Sequence, residues 1–213
     1  MGVVRSELDP PRGQVVEGNS EVPSAPRAMR ADAVKNHEKI LRAAEEIFAL
    51  DGVKVPIDVV AERAGVGVGT LYRHFPTKES LYEAIVMTRL TSLLETANRL
   101  IRDVEPGRAL DSFLREFARQ AAEKQDLFDA MDQAGFDFKS RFSDRVDELV
   151  DRVDVLRQRA VASGAVRADV ETSDILNLVM GTCHAASHGG VDESALQRLV
   201  TIVITGIQPT PER

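Results

Sequence analysis

Apolar residues recur at spacings of three and four along most of the chain and strict alternation is found nowhere, so the pattern predicts helices. Ile40, Ala44, Ile47 and Phe48 form the first stripe, on a helix over about 31–50 that Asp51-Gly52 ends. Two short runs follow at 59–64 and 69–75; Gly65 stops the first and Pro76 the second. Thr77 is a natural N-cap, with Glu79 in the first turn, for a long helix reaching about Val104. Its face carries Leu81, Ile85, Leu90, Leu93, Leu94, Ala97, Leu100 and Ile101, and Pro106-Gly107 break the chain after it. Leu110, Phe113, Leu114, Phe117 and Ala121 make the next stripe, and a shorter element is expected over about 126–134. Phe142, Val146, Leu149, Val153, Leu156 and Ala160 mark a helix ending at Gly164. The last two helices are expected over 173–188, capped by Thr172 or Ser173, and over 192–207, opened by Asp192 or Ser194. The fold class is all-α.

At 213 residues, with 29% charged and 43% apolar positions, the chain can bury a real core in one or two domains. No apolar run approaches the length that spans a bilayer, and the N-terminus lacks a positive start followed by an apolar stretch. The single cysteine excludes an internal disulfide and suits a reducing compartment, so the expected location is cytoplasmic. Residues 1–29 contain Pro10, Pro11, Pro23 and Pro26 and no periodic apolar face, and are expected to form a disordered tail.

Two short helices joined by a tight glycine turn are the helix-turn-helix arrangement, whose second helix enters the DNA major groove. From Arg63 to Lys78 the chain carries three cations, Arg63, Arg73 and Lys78, and no carboxylate, although its net charge is −7. Such a local reversal of sign suits a phosphate-facing surface, and binding that relies on so small a patch is strongly salt-dependent.

The string AGVGVGTLYRHFPTKESL, Ala64 to Leu81, together with the helix before it, resembles the DNA-binding domain of TetR-family transcriptional regulators over about 34–88. The family pattern runs roughly A-G-V-S-x-G-T-x-Y-x-H-F-x-x-K-x-x-L. Gly67 stands where serine is usual, and Val55-Pro56 stand where a threonine or serine usually caps the second helix and touches a phosphate. The resemblance implies an N-terminal three-helix helix-turn-helix domain over 30–76, then a helical ligand-binding and dimerisation domain over 77–208. On the reading helix, Gly67 and Gly69 let the backbone approach DNA, and Thr70 donates to a phosphate or reaches a base edge. Tyr72, His74 and Lys78 occupy positions that in the family meet the DNA backbone or lie beside it; a helix start near Lys78 also favours phosphate. Arg73 is the candidate for a base edge, because arginine pairs with guanine through two hydrogen bonds. Leu71 and Phe75 are expected in the core; packing for Tyr72 and plain solvation for Arg73 are the competing readings. Lys35 and His37, early on the first helix, are expected close to DNA, with a plain surface histidine the competing reading for His37, and Arg27 and Arg30 read either as a basic arm or as part of a solvated tail.

In the second half, Phe113, Phe117, Phe128, Met131, Phe136, Phe138 and Phe142, with Met180, Cys183 and His184, are candidates to line an apolar pocket. Ordinary core packing is the alternative for each, and the resemblance implies a small-molecule effector. The helices over 173–188 and 192–207 carry broad apolar faces, and the resemblance makes them a four-helix interface between two copies. A homodimer then reads a palindromic double-stranded operator. His184 and His188 have a spacing compatible with metal binding, but a place at an interface or pocket edge is preferred, and neither a metal nor a cofactor is expected. Cys183, among small residues, reads as an inert thiol. No nucleophile–base pair or phosphate-binding loop points to an enzyme. The function expected is a sequence-specific regulator, a repressor released by its ligand, with activation left open. The alternative is a helical ligand-binding or interaction protein with impaired DNA binding.

Overall fold

The computed structural model describes residues 27–52, 55–122, 138–188, 190 and 192–210, of which 27–30, 49, 122, 138–139 and 187–188 as backbone only. These residues form eight helices and, among themselves, no strand: α1 (Arg27–Asp51), α2 (Ile57–Ala64), α3 (Val68–His74), α4 (Lys78–Asp103), α5 (Pro106–Ala122), α6 (Phe138–Ala162), α7 (Thr172–His188) and α8 (Glu193–Gly206). The helix expected over 126–134 and most of the expected tail lie outside the described residues. The first helix starts earlier than the sequence suggests, so the backbone at Arg27 and Arg30 belongs to α1.

Helices α1, α2 and α3 form a head, with α1 packed on α2 and α2 on α3. The α1 stripe supplies Ile40, Ala44, Ile47 and Phe48; Val60, Ala61, Leu71 and Phe75 from the other helices complete this end of the core. Helix α4 packs on α1 near its start and on α5 and α6 beyond. It buries Leu81, Ile85, Leu90, Leu93, Leu94, Ala97 and Leu100, each leucine or isoleucine contributing on the order of 1.5–3 kcal/mol. Helix α5 is the axis of the second half, in contact with α4, α6, α7 and α8 through Ala109, Leu110, Phe113, Leu114 and Ala118. Helices α4 and α6 run in the same direction. Arg141, in the first turns of α6, pairs with Glu83 early in α4, and Arg159 near the end of α6 donates to the Val104 carbonyl that closes α4.

Local chemistry sets the element ends. Gly65 closes α2 in the left-handed region at φ 66°, its amide donating to Glu62 and that of Val66 to Ala61. Thr77 and Ser80 exchange side-chain and backbone hydrogen bonds at the start of α4, at 3.1 and 3.2 Å. The Glu105 carboxylate accepts from the Gly107 and Arg108 amides at the start of α5, and Asp192 accepts from Ala195 at 2.8 Å at the start of α8. At α7 the expected caps are corrected. Asp174 reaches back to the Glu171 amide at 3.0 Å, whereas Thr172 is buried and donates to Asp154 across the α6–α7 junction at 2.7 Å. Arg157 joins this cluster, donating to Asp154, to Thr172 and to the Val170 carbonyl. The hydrogen bond from Thr172, then that from Arg157, holds the Asp154 carboxyl below the usual range.

Gly107 is required by packing. A Cβ built there lies 2.7 Å from the Ala165 Cβ in the α6–α7 connector, and neither atom belongs to a flexible side chain. Gly107→Ala is therefore expected to cost about 1–3 kcal/mol as overpacking, read as a lower urea midpoint at fixed protein concentration.

Candidate nucleic-acid interface

The head leaves one side of α3 open. Leu71 and Phe75 are buried, pinning the helix, while Gly67, Gly69, Tyr72 and Arg73 are exposed and Thr70 and His74 half-buried. Tyr72 is 45% exposed, so it is not a core residue, and Val68, which sequence reasoning passed over, is 42% exposed on the same short helix. Neither glycine is demanded by its own chain: a Cβ at Gly69 meets nothing within 4 Å, and one at Gly67 meets only the Thr70 hydroxyl at 3.9 Å. The space in front of the α3 backbone is open to a close approach from outside.

The three cations of this stretch are not equivalent. Arg63 is paired with Glu46 of α1 at 3.0 Å, an exposed contact of little net value. Lys78 turns inward, its Nζ donating to the Val55 carbonyl at 2.6 Å and lying 5.8 Å from the centre of the Phe48 ring. Burial lowers its ammonium from the usual lysine value. Arg73 has no ion pair or hydrogen bond among the described residues, which leaves its guanidinium available.

At the edge of this face, His37 of α1 lies over Phe75 with ring centres 4.8 Å apart and edge-on to His74 at 5.8 Å. These contacts reach the end of the reading helix from a residue more than thirty positions earlier, which the spacing along the sequence does not reveal.

The comparisons with known proteins agree along the chain. The family described as "Bacterial regulatory proteins, tetR family" matches residues 40–85, and that described as "Transcriptional regulator SbtR-like, C-terminal domain" matches residues 105–209. A TetR transcription regulatory protein of known structure from Mycobacterium vanbaalenii is 33% identical, over 85% of this chain and 99% of that one, with a TM-score of 0.69. A TetR transcriptional regulator from Streptomyces coelicolor is 30% identical over 82% of this chain and 99% of its own, with a TM-score of 0.68. The chain belongs to the TetR family. It is also 34% identical, over 76 residues, to an HTH-type transcriptional regulator of Staphylococcus aureus; that match spans 40% of the regulator's length. No described helix of this TetR-family chain is long and apolar enough to cross a membrane.

In the second half of this TetR-family fold, the described residues of the expected pocket differ in exposure. Phe113 and Phe142 are buried and Phe117 is half-buried, stacked on Phe113 with ring centres 6.1 Å apart. Phe128, Met131 and Phe136 lie outside the described residues, and Phe138 is described as backbone only. Met180 and His184 are exposed on α7. On α7 the inward positions are Ile175, Val179, Cys183 and Ala186. Cys183 is fully buried, with Sγ 3.6 Å from the Ala118 carbonyl oxygen, and burial pushes its thiol up to about 11. A groove of about 380 Å³ lies beyond the end of α4, between the first turns of α5, Ala165-Val166 and the end of α8. Among the described residues, none of the expected aromatic side chains lines it.

Burial, then the neighbouring His74, holds the His37 imidazole below its ordinary value of 6.5, with Glu38 opposing. The unfolded chain therefore takes up a proton that the folded head resists, so the His37 contribution is complete above about pH 6.5 and is lost as the pH falls below it. Unfolding midpoints are expected to drop between about pH 7.5 and about pH 5.5, and His37→Gln should flatten that slope; an unchanged slope in the variant would assign the effect elsewhere.

Proposed function

We propose that the protein is a cytoplasmic, homodimeric, sequence-specific DNA-binding regulator, a repressor that leaves a palindromic operator when its second half takes up a small-molecule effector. The observation that carries DNA binding is the outward face of α3, with Gly67, Gly69, Tyr72 and Arg73 exposed and Thr70 and His74 at its edge, held by buried Leu71 and Phe75. Thr70, Tyr72 and His74 supply hydrogen-bond donors for phosphate oxygens, and Arg73 supplies the two parallel donors that guanine accepts in the major groove.

Pairing of two copies is supported by the outer faces of α7 and α8. Leu178 is 51% exposed and Ile202 66%, with Met180 and Leu199 also uncovered, apolar side chains with no cover within one copy. The two helices pack on each other, so a second copy would bury both faces in one four-helix contact. An effector acting on α5 or α6 has a path to the head, because Arg141 of α6 pairs with Glu83 of α4, and Arg89 of α4 pairs with Glu45 of α1 at 3.7 Å. Effector and operator affinities would then be linked reciprocally.

Gel-shift competition between operator variants tests the reading face. Arg73→Ala is expected to weaken specific binding by about 1–3 kcal/mol and to relax preference at one base position in each half-site. An equal loss on specific and non-specific DNA would instead make Arg73 a phosphate contact. Ile202→Glu tests the pairing: sedimentation should show monomers with undiminished helix content and no specific shift, whereas a dimeric variant would put the interface elsewhere.

A further inference from the structure

Two imidazoles meet at the edge of the reading face. His37 of α1 and His74 at the end of α3 are both half-buried, with ring centres 5.8 Å apart and planes inclined at 63°. Phe75, itself buried, lies against the His37 ring at 4.8 Å and fixes it in place. Neither imidazole makes a hydrogen bond or ion pair among the described residues, so their ring nitrogens are open to an acceptor from outside. The charges that act on His37 are His74, which disfavours a proton on it, and Glu38 on its own helix, which favours one. Residues three and four positions away on α1, Ala33, Val34, Ile40 and Leu41, carry no charge. Arg63 of α2 is held by Glu46 and Lys78 of α4 by the Val55 carbonyl, both towards the other end of α1. Asp58 and Glu62 of α2, Arg73 of α3 and Glu79 of α4 complete the charges of α2, α3 and the first turn of α4.

We propose that His37 joins His74 in a two-imidazole clamp on one phosphate group of the DNA backbone, and that binding takes up a proton, which settles on His37. Hydrogen bonds of about 2.8 Å from each ring reach a common phosphate across this separation. In the free head a proton on His37 is resisted by burial and by its neighbour, so the ring waits neutral. A phosphate supplies the missing counter-charge, and a protonated ring bonds it more strongly than a neutral one. The proton comes from solvent, so operator affinity is linked to pH: it rises as the pH falls through the DNA-bound value of His37 and levels off below the free one. This is the opposite sense to the stability of the free head, which falls over the same range. The clamp rests on the DNA-binding reading above, but a phosphate contact needs no particular base sequence.

The first test follows the imidazole signals of the full chain by NMR against pH. The chain has four histidines, and His37→Gln and His74→Gln identify two of the signals by their loss. Without DNA, His37 is expected to titrate below 6.5 and to move upward in His74→Gln. With a random-sequence duplex at low salt, wild-type His37 is expected to titrate higher than in the free protein. A His37 signal that ignores the loss of His74, or that keeps its titration on a duplex the protein binds, would overturn the clamp. Should either variant fail to fold, the wild-type signal that shifts upward on duplex and is lost from neither α7 histidine variant, His184→Gln or His188→Gln, still decides.

The second test measures affinity for an operator selected from random duplexes, by fluorescence anisotropy at fixed salt. Wild-type binding is expected to tighten from about pH 7.5 to about pH 6, approaching about tenfold per pH unit for each proton taken up. His37→Gln should flatten that slope by up to one proton for each reading head. Loss of fold cannot imitate the result, because it weakens binding as the pH falls. A variant with the wild-type slope would place the proton elsewhere and overturn the proposal. An operator bound specifically while His37 stays unmoved sinks the clamp and leaves the regulator reading standing. If the wild type prefers no sequence, the regulator reading fails, while the titration on random duplex still judges the clamp.

Discussion

The structure depends on α4 being one unbroken helix that belongs to both halves. At about 1.5 Å per residue its 26 residues span about 39 Å. Its early buried residues, Leu81, Tyr82, Ile85 and Val86, share a core with α1, and its later ones, Leu93 to Leu100, lie in the part that packs on α5 and α6. No hinge residue interrupts this run, and no glycine or proline lies within it. A displacement imposed on its far half is therefore carried to the head by a rigid body, whereas a flexible linker would dissipate it.

Arginines tie that shared helix to its neighbours. Arg89 is buried against Glu45, Arg141 reaches Glu83 from α6, and Arg159 holds the carbonyl that ends α4. Charged contacts that are partly buried add less to net stability than they do to register, because desolvation offsets much of the attraction. Their value here is directional: each guanidinium accepts only a narrow range of helix positions. The Arg157–Asp154–Thr172 cluster does the same between α6 and α7.

The helices and their order were legible from periodicity, glycine and proline, because each stripe needs only local spacing to be seen. The turn at Gly65 and the exposed Tyr72 and Arg73 followed from the same short motif. What was not legible depended on partners distant in sequence. Thr172 looked like a cap, but its hydroxyl is drawn to a carboxylate eighteen residues earlier. Lys78 looked like a surface cation, but a carbonyl and a ring lie within its reach. Met180, Cys183 and His184 were grouped with the phenylalanines because an apolar helix face does not say which of its sides meets the core; of the three, Cys183 is buried, as is Val179, while Met180 and His184 are exposed.

The chain's one cysteine sits at the contact between α5 and α7, sealed from solvent with its thiol strongly disfavoured from ionising. A thiol reagent can reach it only when those two helices part, so its labelling rate under native conditions is a direct clock for that opening. The protein thus carries its own reporter at the junction between its axial helix and its outward-facing pair, with no second sulfhydryl to confuse the signal.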